Sequence, residues 1–261
     1  MTDDGVVRVE RDGGLAVVTF DSPPLNLFDA GLRSGLIAAL EELESRPARG
    51  VLFRAEGRVV SGGVDVAMFA AQDGPEAATE LFDGLVSLSR RVERLACPTV
   101  FAAHSLCLTW AFELALACDL IVAAESARFG LVETVVGLTP AIGGTQRLAE
   151  RAGTGRAKEL VMTGVPYDAA TLERWNVVNR VLPDGGFDAS ARALAARLAS
   201  GPTLAHAATK LVLRAYLDGG VDGADEAAGR IAGGLFASED LQNAVRSFLT
   251  LGPGKASFEG R

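Results

Sequence analysis

VVRVERDGGLAVVTFD alternates apolar and polar positions and is interrupted at Asp12-Gly13-Gly14, which predicts two strands joined by a tight turn. DAGLRSGLIAALEELES then shifts to helical spacing, with Pro47 just past its end. RGVLFRAEG is a short apolar run expected as a buried strand. RVVSGGVDVAMFA runs from a strand through Gly62 and Gly63 into a helix, and EAATELFDGLVSLSRRVERLA is a long amphipathic helix. PTVFAAHS and DLIVAAES read as strands on either side of a helix in SLCLTWAFELALACD. Strands alternating with helices predict an α/β fold.

The second half reads differently. GGTQRLAERAGTGRAKELVMTG and DAATLERWNVV have helical patterns, and VNRVLPDGG reads as a short strand and turn. From about Ala189 the pattern is almost wholly helical through LQNAVRSFLTLG. The expected organisation is an α/β core over residues 1–190 followed by a helical C-terminal region over residues 191–261. No repeat, charge block or low-complexity linker separates them.

Composition narrows the classes. The chain has 261 residues, 49% of them hydrophobic, enough for a sizeable core. No apolar run reaches the roughly 20 residues of a membrane span. The start, MTDDGVVRVERDGG, is acidic and polar, unlike a secretory signal. Cys97, Cys107 and Cys118 have no metal-ligand spacing and lie in apolar sequence, as expected of buried free thiols in a reducing cytoplasm. A net charge of −8 argues against nucleic acid as a partner. It leaves room for a small anionic ligand, which needs only a few local cations or helix N-termini. His104 and His206 are far apart and lack HExxH or CxxC companions, so no metal is expected. There is no GxGxxG, and GPGKAS lacks P-loop spacing.

One residue stands out. Glu113 is a charge among Phe112, Leu114, Ala115, Leu116 and Ala117, which is costly unless something uses it. A lone glutamate in an apolar helix is more often a satisfied core acid than a catalyst. Gly62-Gly63 fits a simple turn or a close approach of backbone to ligand. Asp65 reads as a local helix cap, His104 as a packed histidine and Arg147 as structural. Arg58 and Lys255 fit solvated surface cations or phosphate contacts equally well.

RVVSGGVDVAMF, FELALACDLIVAAESARFGLVE, GGTQRLAERAGTGRAKELVMTG, ERWNVVNRVLP and FLTLGPGKASFEGR follow one another in this order, preceded by SPPLNLFDAGL. Together they resemble the crotonase, or enoyl-CoA hydratase/isomerase, superfamily over nearly the whole chain. The resemblance implies a spiral ββα core with a helical C-terminal trimerisation region, in a homotrimer or a dimer of trimers. It implies acyl-CoA thioesters as substrates, with coenzyme A arriving as part of the substrate and no separate cofactor. It assigns catalysis to Glu113 and to Glu133 in FGLVETVVGLTP. It assigns the oxyanion hole to the backbone N–H groups of Val64, in SGGVD, and of Trp110. Thr109-Trp110-Ala111 occupies the place of the family's glycine run. Gly63, Asp65, Met68, Arg58 and Lys255 are the further candidates for contacts to substrate or CoA.

Adding water to an α,β-unsaturated thioester builds negative charge on the thioester oxygen as an enolate. Fixed backbone donors, such as those at a helix N-terminus, stabilise that charge. Thr109 suits the N-cap and Trp110 the first helical position, where any residue but proline supplies the N–H. Glycine there would also permit positive φ and a close approach, which tryptophan does not. The indole is expected to limit the acyl pocket, or else to pack behind the helix. Hydration of a 2-enoyl-CoA is the expected reaction. The alternatives are isomerisation through one carboxylate, acyl-CoA binding without turnover, and a carbon–carbon hydrolase that would need His104.

Overall fold

The computed structural model describes residues 5–261; residues 1–4, which begin the acidic N-terminal stretch, lie outside them. β1 (Val7–Asp12) and β2 (Leu15–Phe20) pair antiparallel with Asp12 opposite Leu15, so Gly13-Gly14 forms the turn. α1 (Ala30–Ser45) starts at Asp29, whose carboxylate accepts the Leu32 N–H at 2.7 Å. Then come β3 (Gly50–Ala55), α2 (Ala67–Ala70), α3 (Pro75–Arg94), β4 (Thr99–Ala103), β5 (Cys107–Leu108) and α4 (Trp110–Ala117). β6 (Leu120–Ala124), β7 (Arg128–Gly130), a 3₁₀ turn (Glu133–Val136), α5 (Gly144–Thr163), β8 (Tyr167–Asp168), α6 (Ala169–Arg174) and β9 (Arg180–Leu182) follow. The chain ends in α7 (Phe187–Ala199), α8 (Thr203–Gly234) and α9 (Glu239–Leu251).

The larger sheet has the order β1-β2-β3-β4-β6-β9, parallel except for the β1-β2 pair. Every residue of β2 and β4 is buried, the continuous apolar pattern of strands covered on both faces. α7 lies on this sheet so closely that a Cβ on Gly50 would fall 2.9 Å from the Ala199 Cβ. The smaller sheet, β5-β7-β8, leads the chain into α4 and on to the 3₁₀ turn. α4 is buried at all its residues, as a helix apolar on every side must be. Cys97, Cys107 and Cys118 are buried and unbridged.

Three local expectations change. RVVSGGVDVAMFA forms no continuous strand: Ser61 and Val64 make single parallel bridges, to Cys107 and Phe28, before a helix of only four residues. α5 and α8 break at Gly153 and Gly220, whose φ values of +81° and +67° leave helical space. The helix in DAATLERWNVV stops at Arg174, and Asn176 turns the chain with φ +62°. Among the described residues, no helix is long and apolar enough to cross a membrane.

Candidate active site

Glu113 and Glu133 come from different elements and meet at one cavity of about 20 Å³, which Val64, Met68, Phe82 and Leu138 help to line. That volume exceeds the roughly 10–15 Å³ that one water needs. An apolar cleft of about 370 Å³ adjoins it, sharing Phe69, Phe82 and Leu138 and bounded further by Val66 and Val136. A larger cavity of about 610 Å³, reached by Arg90, Arg147 and Lys210, includes neither glutamate. Both buried acids line the smallest of the three.

Glu113 projects from the first turn of α4 and is 1% exposed. Its Oε2 accepts the N–H groups of Ile142 at 2.8 Å and Gly144 at 2.7 Å, at the start of α5. A carboxylate is favoured there because the first N–H groups of a helix have no partner within it. The approach is so close that a Cβ on Gly144 would fall 2.6 Å from the Glu113 Cγ. Arg147 pins the same loop: it donates to Gly143 O at 3.0 Å and pairs with Glu93 at 2.7 and 2.6 Å, the structural role its sequence suggested. Glu133 opens the 3₁₀ turn, is 8% exposed, and has no hydrogen-bond partner among the described residues on either carboxylate oxygen.

Both acids titrate high. Burial pushes Glu113 up to about 8, with the charge of Glu133 adding to the rise and the Gly144 and Ile142 N–H groups and Arg147 opposing it. Burial likewise pushes Glu133 up to about 7. Near neutral pH the pair therefore holds about one proton between its two carboxyls.

Val64 and Trp110 stand in register. The parallel bridge of Ser61 to Cys107 sets two segments in step, and three residues on in each lie Val64 and Trp110. Gly63 and Thr109 meet just before them: with φ +121°, Gly63 sits where a Cβ would lie 3.4 Å from Thr109 Oγ1. Phe28 donates to Gly63 O and accepts from Asp65 N–H, both at 3.0 Å, which fixes the turn. Among the described residues neither the Val64 nor the Trp110 N–H finds an acceptor.

The indole of Trp110 corrects one expectation. It does not limit the pocket but packs behind the helix, 1% exposed, with its centroid 5.1 Å from Phe20 and 5.3 Å from Phe28. Its Nε1 donates to Asn26 O at 3.1 Å. The core side offers two phenyl rings and a carbonyl, which satisfies both the ring and its N–H. The positive φ expected of the glycine run falls on Thr109, at +49°, and not on Trp110. Thr109 is the N-cap by position only, since its side chain makes no capping bond.

The remaining candidates divide. Met68 lines the cavity. Asp65 accepts the Ala67 N–H at 3.0 Å, a local turn bond. Arg58 and Lys255 are exposed and take no part in the lining of the glutamate cavity. His104 contacts Gly57 O at 3.1 Å and does not line the glutamate cavity. Unforeseen in the sequence were the Ile142 and Gly144 amides that hold Glu113. The Gly143-Gly144 pair opening a helix was the available signal, because only residues without Cβ fit so near another side chain.

The fold is a mixed α/β one in which two buried acids meet at one cavity. A family model for enoyl-CoA hydratase/isomerase matches residues 10–261, and the chain belongs to that family. It is 32% identical to a "Probable enoyl-CoA hydratase" of Rhodobacter capsulatus, with 98% of each chain covered. It is 33% identical to a carnitinyl-CoA dehydratase of Salmonella typhimurium, over 80% of each chain. Among solved structures, an enoyl-CoA hydratase subunit I from Geobacillus kaustophilus superposes with a TM-score of 0.90 at 29% identity, over 98% of each chain. The fold is that of the crotonase-type hydratases.

Proposed function

We propose that the protein hydrates a 2-enoyl-CoA thioester, with Glu113 and Glu133 as the acid–base pair. The observation that carries this reading is the meeting of two buried carboxyls, from different elements, at a cavity sized for a water. One carboxylate takes a proton from water as its oxygen bonds to C3 of the acyl chain. The electrons of the double bond move onto the thioester oxygen as an enolate. The other carboxyl then delivers its proton to C2. Acid and base each contribute roughly 10²–10⁴-fold. The N–H groups of Val64 and Trp110, unused and in register, hold the thioester oxygen as charge develops.

Coenzyme A enters as part of the substrate, and the reaction draws on no other cofactor. Arg58 and Lys255 remain candidates for its phosphates. The acyl tail fits the apolar cleft beside Phe69 and Phe82. Relatives named for adding water to, or removing it from, CoA thioesters favour hydration over isomerisation. An acyl-CoA binder without turnover loses its main support, because the Trp110 ring is directed into the core. The three buried free thiols favour a reducing cytoplasm.

A panel of CoA thioesters, followed by absorbance of the conjugated double bond and by mass spectrometry, tests the reaction. Glu113→Gln and Glu133→Gln are each expected to slow hydration by at least about 10²-fold. Binding of a saturated acyl-CoA should change much less. If one of the two variants keeps normal turnover, isomerisation through the other acid becomes the better reading.

A further inference from the structure

Thr109 occupies backbone that a β-branched residue resists, with φ +49° and ψ −117°. It is 5% exposed, and its Oγ1 is buried with no hydrogen-bond partner among the described residues. Its own main-chain N–H and C=O are both engaged. Its N–H donates to Gly130 O at 2.9 Å, and its C=O accepts the Glu113 N–H at 2.8 Å. Its side chain lies against Gly63, whose missing Cβ would sit 3.4 Å from Oγ1 and 3.6 Å from Cγ2. The residue after Gly63 is Val64 and the residue after Thr109 is Trp110, and these carry the two unused N–H groups. Two unused N–H groups and one unpartnered buried hydroxyl thus belong to the two neighbouring dipeptides Gly63-Val64 and Thr109-Trp110.

We propose that the Thr109 hydroxyl is a third hydrogen-bond donor to the thioester oxygen, beside the N–H groups of Val64 and Trp110. This rests on the acyl-CoA reading above. Buried polar side chains without partners are uncommon in folded proteins, and a ligand atom is one of the things that completes them. An enolate oxygen carries three lone pairs and so accepts from all three donors. A hydroxyl is also free to rotate its hydrogen toward the charge as it forms. Glycine would suit the backbone better but would bring no third donor, so the hydroxyl accounts for a residue that local conformation disfavours.

Three variants separate this role from a structural one: Thr109→Val keeps the shape, Thr109→Gly relaxes the backbone, and Thr109→Ser keeps the hydroxyl. Each is compared with the unaltered protein in turnover of an enoyl-CoA and in the absorbance of bound 2,4-hexadienoyl-CoA, which donors at the thioester oxygen move to the red. Thr109→Val and Thr109→Gly are expected to lose about 10²-fold in kcat, the loss typical of one such donor, with little change in KM. Both should also lose part of the red shift, and Thr109→Ser should restore most of each. Thr109→Gly should fold at least as stably as the unaltered protein, so its slower turnover cannot be put down to unfolding. An unaltered kcat and red shift in either Thr109→Val or Thr109→Gly overturns the proposal while leaving the acyl-CoA reading intact. If the unaltered protein gives no red shift and turns over no thioester, the acyl-CoA reading falls and the proposal falls with it.

Discussion

Among the described residues Glu133 has no hydrogen bond to either carboxylate oxygen, and its titration bears directly on stability. Burial moves it from an ordinary 4.5 to about 7, so between those pH values the folded chain keeps a proton that the unfolded chain has released. Folding is then progressively weakened as pH rises from about 4.5 to about 7, and the penalty is constant above that. Glu133→Gln, which mimics the protonated form, should therefore raise stability at pH 8 by up to about 3 kcal/mol. Denaturant unfolding at about pH 5 should show most of that gain gone; an equal gain at both pH values would point to some other cause. Residue by residue, the sequence was unevenly legible. Glu113 announces itself as a charge in apolar surroundings, whereas Glu133 sits in an ordinary loop and only resemblance marks it. The strain at Thr109 carries no signal at all, because glycine and asparagine, not threonine, advertise positive φ.

At the scale of elements, the sequence pattern located α1, α3 and the strands of the larger sheet; it is clearest in α1 and α3, which each bury one face, and in β2 and β4, which are buried throughout. It could not say which way Trp110 would turn. α4 is buried all round, so every direction is apolar and the choice depends on the neighbours, here Phe20 and Phe28. Trp110→Gly should accordingly cost the fold roughly 3–5 kcal/mol, as for a large aromatic lost from a core, and leave acyl-chain preference unchanged. Chemical denaturation together with kcat/KM across chain lengths checks both halves; a shifted preference in a stable variant would put the ring at the substrate after all. The segment before α2 was misread as a strand because its apolar run is genuine. Its backbone is committed to single bridges that hold the Gly63–Val64 turn, and such pairing has no periodicity to detect.

For the whole molecule, the C-terminal helices pose the larger question. The helical pattern of this region is plain in the sequence, but what it packs against is not. α8 runs from Thr203 to Gly234 and buries only Thr203, while Leu211, Leu213, Leu217 and Val221 on it are exposed, as are Phe248 and Leu249 on α9. Apolar surface of that extent marks an interface. We expect particles of three or six chains in solution, read by light scattering at micromolar concentration. A stable monomer there would contradict this.

Trp110 serves two selective demands that do not compete. Its ring answers to the packing around Phe20 and Phe28, while its amide hydrogen, common to every residue but proline, has no acceptor among the described residues and is free for the proposed oxyanion role. Under the proposed role, this side chain is free to change with the core around it while the backbone donor is kept. Mutational tolerance at position 110 should then track ring size and core volume, and only proline should be lethal to turnover in every background.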